Sequence, residues 1–222
     1  TELDTQLLFD EGVTAKGKPL AHHLMNDDLK QAYELAKAES VSLVPVTPAF
    51  LQRLNATLMR TTGSVHSVTG GSFDSSKGEF RLCGVTAGVG EHSYMNYLKV
   101  PAKIDEFCAI LQAKQKTMGT FREQYELSFN VHLNLVTIHP WIDGNGRTAR
   151  LLMNYIQFCY HLFPTKIFKE DREEYILSLR QCQNEESNHP FLDFMAWQLK
   201  KSLALEIERF YASRKERFNF MF

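Results

Sequence analysis

The chain has 222 residues, 44% of them hydrophobic and 16 of them Phe, enough to bury the core of one compact domain. Its 25 Lys and Arg against 26 Asp and Glu leave a formal charge of -1, which excludes a global field that would gather nucleic acid or membrane lipid, so any phosphate binding has to be local. Four scattered cysteines (Cys83, Cys108, Cys159, Cys182) argue against a zinc knuckle and a disulfide framework, no apolar run nears the roughly 20 residues of a membrane span, and the acidic start TELDTQLLFDEG is unlike a secretory signal, so a reducing, cytoplasmic setting is expected.

The first motif-like stretch, GVTAKGKP at 12–19, matches the phosphate-loop pattern through Lys18. Pro19 stands where a Ser or Thr should hold Mg²⁺, and no buried strand precedes it, so it reads as a turn. LAHHLMNDDLKQAYELAKA at 20–38 places Leu20, Leu24, Leu29, Ala32, Leu35 and Ala36 near one face of a helix; His22 and His23 there lack acid or cysteine partners at ligand spacing. TPAFLQRLNATLM starts a helix with Thr47 as cap and Pro48 at the first position. Residues 61–93 carry seven of the 12 glycines and read as a loop followed by a β-hairpin, with GEFRLCGVTAGVG alternating as a short strand pair. VPAKIDEFCAILQAK and TFREQYELSFNVHLNLVTI are helical, as are REEYILSLRQCQ and the run from FLDFMAWQLKKS to the C-terminus. The expected organisation is a helical segment at 1–46 before a core at 47–222, mainly α, with a hairpin at about 78–97.

HPWIDGNGRTAR at 139–150 lies between two of these helices. Pro140 disfavours helical angles at the residue before it, so the helix through Ile138 should stop and leave His139 in an extended or turn conformation, its imidazole facing a cleft. Gly144, Asn145 and Gly146 permit positive φ and close backbone approach, and a new helix begins at about Arg147. A glycine-rich turn opening a helix aims backbone N–H groups at one spot, where the dipole adds roughly half a positive charge. Arg147 and Arg150, three apart, share a side of the first turn and suit successive groups of a polyphosphate. Asp143 then suits the accompanying Mg²⁺, and His139 remains as a general base. Any one of these features serves equally well as an ordinary helix connection. The chain holds a control in HPFLD at 189–193, which lacks the glycines and the arginine pair and reads as helix start and packing; there is also no GxSxG elbow for serine hydrolase chemistry.

The stretch resembles the signature of the Fic (Fic/Doc) family, HPFx(D/E)GNGRxxR, with Trp141 in place of Phe. GKPLAHHLMNDDLKQAY is similar to the family's leading helix, GEFRLCGV to the strand entering its flap, and the last helices to its closing ones. The resemblance implies a Fic-type helical bundle with a small β-hairpin flap, and an enzyme that moves AMP from ATP to a Tyr, Thr or Ser hydroxyl of a target protein or of itself. His139 would be the base, Asp143 the Mg²⁺ ligand, and Gly144, Asn145 and Gly146 the phosphate cradle, Asn145 also through its side chain. Arg147 would meet the β phosphate and Arg150 the γ phosphate, while the hairpin at 84–97 would align the target by strand addition. It implies no nucleic acid or membrane partner and leaves a homo-oligomer open.

The resemblance also carries two alternatives. A Doc-like branch phosphorylates instead and has Lys where this chain has Gly146. Other members are autoinhibited ATP-binding regulators, held by a helix bearing (S/T)xxxE(G/N) whose Glu pairs with the second arginine, here Arg150. TQLLFDEG has Leu7 at the Ser/Thr position and SLALEI ends in Ile207, so neither is a complete copy. In the family the segment like TELDTQLLFDEG follows that helix, and residue 1 is expected to start downstream of it in a derepressed chain.

Overall fold

A computed structural model describes residues 20–87 and 92–219. It contains seven helices among these residues: α1 (Leu20–Val41), α2 (Pro48–Met59), α3 (Val100–Gln115), α4 (Phe121–Ile138), α5 (Asn145–Cys159), α6 (Arg172–Glu185) and α7 (His189–Asn219). Two short antiparallel hairpins lie between α2 and α3: β1 (Val65–Val68) with β2 (Gly71–Asp74), and β3 (Thr86–Ala87) with β4 (His92–Ser93). The phosphate-loop look-alike at 12–19 falls outside the described residues.

The helix starts follow their caps. Thr47 accepts a bond from Phe50 N at 3.1 Å with Pro48 just inside α2. Thr120 and Glu123 form a capping box at α4: the Thr120 hydroxyl accepts from Glu123 N at 3.3 Å, and the Glu123 carboxylate accepts from Thr120 N at 2.9 Å. The hairpins depart from the sequence expectation. The first forms where a loop was expected, pairing Val65 with Asp74 through Val68 with Gly71. The second is shorter than GEFRLCGVTAGVG suggests, because the segment around Arg81 spends its hydrogen bonds on the 139–140 backbone instead of a ladder.

The chain forms two compact units, one through Tyr160 and one from His161. In the first, α5 packs on α1, α2 and α4, and α1, the expected leading segment, packs on α2 as well. Leu51, Leu54 and Leu58 of α2, Ile104 of α3, Leu135 of α4 and Leu152 and Ile156 of α5 are all fully buried in one core. Two polar ties cross it: Gln157 Nε2 donates to Ser128 Oγ at 3.0 Å, joining α5 to α4, and the Tyr155 hydroxyl donates to the Val44 carbonyl. In the second unit, Phe191, Phe194 and Met195 of α7 are buried with Tyr175 of α6, while His189 at the start of α7 is exposed. HPFLD is thus a helix start whose apolar residues pack.

Asp28 ties α1 to the end of α2. Its fully buried carboxylate accepts from Arg60 Nε at 3.1 Å, Thr61 N at 2.8 Å and Thr61 Oγ1 at 2.6 Å. Bonds to a charged acceptor are worth more than neutral ones, and losing this carboxylate removes three of them at once. Asp28→Ala is therefore expected to lower stability by about 2–3 kcal/mol, read as a shift of the urea midpoint. Arg60→Ala should cost less, because its side chain is half exposed.

Candidate active site

The α4 helix ends at Ile138, as Pro140 requires, but His139 closes it in the left-handed conformation (φ 53°, ψ 60°) instead of an extended one. The pyrrolidine ring blocks continuation of the right-handed helix, and the left-handed cap lets His139 N still bond to the Leu135 carbonyl at 3.0 Å. The cap turns the ring back on its own helix, where Nδ1 meets the Val136 carbonyl at 3.2 Å. A carbonyl can only accept, so Nδ1 carries the proton and Nε2 presents its lone pair. Burial pushes the imidazole down from 6.5 to about 4; the Val136 bond opposes that, Arg81 adds to it, and Asp143 opposes it. His139 is neutral at physiological pH.

The loop after it is closed from within. Trp141 is fully buried, as its aromatic place in the motif suggests, and its Nε1 donates to the Gly78 carbonyl at 2.9 Å. Asn145 bonds back to it: its Oδ1 accepts from Trp141 N at 3.0 Å and its Nδ2 donates to Trp141 O at 2.9 Å. With an acceptor and a donor of its amide engaged and the residue buried, this side chain ties the two ends of the loop together.

Within the Gly144–Asn145–Gly146 run only Gly144 (φ 80°), the residue before α5, has positive φ; Gly146 already lies in the first turn, so α5 starts two residues earlier than Arg147. A Cβ on Gly144 would stand 2.7 Å from Asn55 Nδ2 and 3.1 Å from Met59 Sδ. Those two residues of α2 support the turn, and sequence reasoning missed both. Asn55 is fully buried; its amide donates to Thr148 Oγ1 at 3.0 Å and reaches the Asp143 carbonyl at 3.5 Å. Met59 Sδ accepts from Arg147 Nη2 at 3.6 Å.

Arg147 is mostly buried, and its Nη1 has no hydrogen-bond partner. An unmet buried donor costs about 1–3 kcal/mol, which an anionic oxygen at the start of α5 would recover. Its Nη2 lies 3.4 Å from Asp143 Oδ2, and Asp143 Oδ1 accepts from Gly144 N at 2.5 Å. Arg150 stands one turn along; its charge, after burial, helps press the fully buried His132 down to about 3. Asp143 is exposed and is the one carboxylate of the motif. Among the described residues no three His, Cys, Asp or Glu side chains are grouped to hold a metal ion by themselves. A lone carboxylate fits a hard cation whose other ligands are phosphate and water oxygens.

Arg81, also missed, is buried to 1% exposure. Its guanidinium donates to three carbonyls, His139 at 2.7 Å, Cys83 at 2.7 Å and Met95 at 2.6 Å, while its backbone N donates to Pro140 O at 3.0 Å. Its signal is an arginine between Phe80 and Leu82 in a stretch otherwise apolar enough to be buried.

Residues 45–157 match the family model described as Fic/DOC family. Curated relatives named protein adenylyltransferase Fic, from Drosophila yakuba and Drosophila melanogaster, are 29% and 28% identical over 92% of this chain. The chain spans 38% of the length of each of these relatives. Among solved structures, a Fic domain containing signaling protein from Bacteroides thetaiotaomicron superposes with TM-score 0.79 at 26% identity, covering 94% of this chain and 80% of that one. Fic-1 from C. elegans (TM-score 0.78, 20% identity, 96% and 59% coverage) shares the fold. So does the N-terminal Fic domain of a cell filamentation protein from Bartonella quintana, solved with bound ADP (0.52, 15%, 83% and 86%).

The two glycines make separable demands. Gly144→Ala forces positive φ on a side chain and drives it into Asn55, so it should cost about 1–3 kcal/mol and weaken nucleotide binding. A Cβ on Gly146 meets only Arg150 Nη1, at 3.5 Å, so Gly146→Ala should fold at least as stably. Thermal unfolding of the two variants side by side tests the contrast.

Proposed function

The chain belongs to the Fic/DOC family, and from that membership we propose that it is a protein adenylyltransferase, transferring AMP from ATP to a Tyr, Thr or Ser hydroxyl of a target protein or of the chain itself. The observation that carries this reading is the pairing of a neutral imidazole, its Nε2 open, with a helix start beside which an arginine nitrogen is buried and unmet. The relatives' printed activity supports it.

In this reading the backbone N–H groups at Gly144, Asn145 and Gly146 and the guanidiniums of Arg147 and Arg150 hold the triphosphate. His139 Nε2 takes the proton from the target hydroxyl as its oxygen bonds to the α phosphorus. The bond from that phosphorus to the β-phosphate oxygen breaks and pyrophosphate leaves, its charge met by Arg147 and Arg150. Asp143 is the residue that would hold Mg²⁺, which when bound supplies further neutralisation of the phosphates. The depressed imidazole keeps the base unprotonated at working pH, at the cost of a weaker drive for proton uptake. The paired strands β3 and β4 would present an outer edge to the target backbone. Phosphotransfer by a reversed nucleotide is disfavoured because the phosphorylating branch of the family carries Lys where this chain has Gly146.

With α-labelled ATP and Mg²⁺, label should pass to protein, and His139→Ala should reduce it by about 10²–10⁴. Label from γ-labelled ATP alone would overturn the reading. The acidic limb of the rate against pH should lie near 4, since the base works only above its own pKa, not near the 6.5 of an exposed imidazole. A limb at 6.5 would mean that His139 is solvated in the working enzyme.

A further inference from the structure

One contact at the site has no part in that reading. The ring of Tyr94, just after β4, lies nearly face to face on the imidazole of His139, with centroids 3.7 Å apart and planes 17° apart. Tyr94 is half-buried, and burial pushes its phenol above the ordinary range. The stack is held from both sides. Tyr94 N donates to Val85 O at 3.1 Å, and the next carbonyl, Met95 O, accepts from the same Arg81 guanidinium that holds His139 O. One buried cation therefore fixes the backbone beneath both rings.

We propose that Tyr94 is a positioning residue for His139, its ring setting the imidazole plane and closing one face to water so that Nε2 can be approached only edge-on. The inference rests on His139 being the base. The bond from Nδ1 to Val136 O fixes one edge of the imidazole but leaves rotation about that edge; a ring laid flat on it removes that freedom. Other polar or charged groups acting on the imidazole are Arg81 before β3, Asp143 in the motif loop and the Val136 carbonyl of α4. The tyrosine ring has two opposed effects. Excluding water disfavours the imidazolium, whereas a π face attracts it. Burial is the largest influence on the His139 imidazole and lowers it, and the Tyr94 ring laid on one face is part of what covers it, so exclusion is the effect expected to win.

The test compares Tyr94→Ala and Tyr94→Phe in the full chain by two readouts. The first is NMR titration of the His139 ring without nucleotide. Tyr94→Ala should move the midpoint up by more than one pH unit from about 4, and Tyr94→Phe should leave it in place. The second is labelling kinetics: Tyr94→Ala should lower kcat about tenfold with KM for ATP changed less than twofold, the acidic limb moving up in step, and Tyr94→Phe should rescue kcat. An unmoved midpoint and kcat in Tyr94→Ala would overturn the proposal. So would a downward midpoint, which would make the ring a cation partner, or a Tyr94→Phe as impaired as the alanine, which would assign the work to the phenol oxygen. The titration needs no turnover, so a chain that transfers nothing would defeat the enzymatic reading while leaving the stacking role to be decided by the midpoint.

Discussion

Between Ile138 and Asn145 the chain must end one helix and begin another in six residues, and every property of the site depends on how that turn is held. Two left-handed residues, His139 and Gly144, make the reversal; at a non-glycine such as His139 that conformation costs about 1–2 kcal/mol. The opposing terms are larger. Burying Trp141 completely removes some 150–250 Å² from water, worth about 4–6 kcal/mol at 25 cal/mol/Å². The reciprocal bonds between Asn145 and Trp141 add about 1 kcal/mol each. Packing beneath the turn thus holds the imidazole in a conformation it would not choose alone.

The same turn sets the electrostatics. Backbone N–H groups at the start of α5 and the guanidiniums of Arg81, Arg147 and Arg150 gather positive charge around one point, with the exposed carboxylate of Asp143 as the motif's counterweight. A protonated imidazole there would add to the excess. Burial beside Arg81 disfavours that form, and His139 stays neutral among cations. His132, one helix face away and next to Arg150, is subject to the same rule with deeper burial. Fully buried between helices, it is kept neutral by its surroundings and belongs to the scaffold.

The helices were legible from their apolar period, and two of them also announce their starts. Thr47 with Pro48 and Thr120 with Glu123 are local signals, and the apolar period between them needs no tertiary help. The hairpin at Val65–Asp74 was not. Only Phe73 among its residues is buried, so the alternation that betrays a strand is nearly absent, and the glycines read as loop. In the site, residues 139–150 could be read because they are contiguous. Asn55, Met59 and Arg81 reach it across 93, 88 and 58 residues of sequence, and nothing local tells a buried Asn on α2 from one that merely faces a neighbour. The tie from the Asn145 side chain to the Trp141 backbone was equally hidden, because the groups that engage its amide are set only by the path of the turn around Trp141.

The Arg81 clamp also separates what the main chain must do there from what the side chains must do. Its two outer anchors are the carbonyls of Cys83 and Met95, main-chain atoms that any residue supplies, so the clamp constrains the path of the chain there and not its side chains. Among the described residues between those anchors, a change of side chain away from Tyr94 leaves these main-chain acceptors in place. An engineer could therefore vary those side chains and keep the clamp, sparing Tyr94, whose ring stacks on the imidazole.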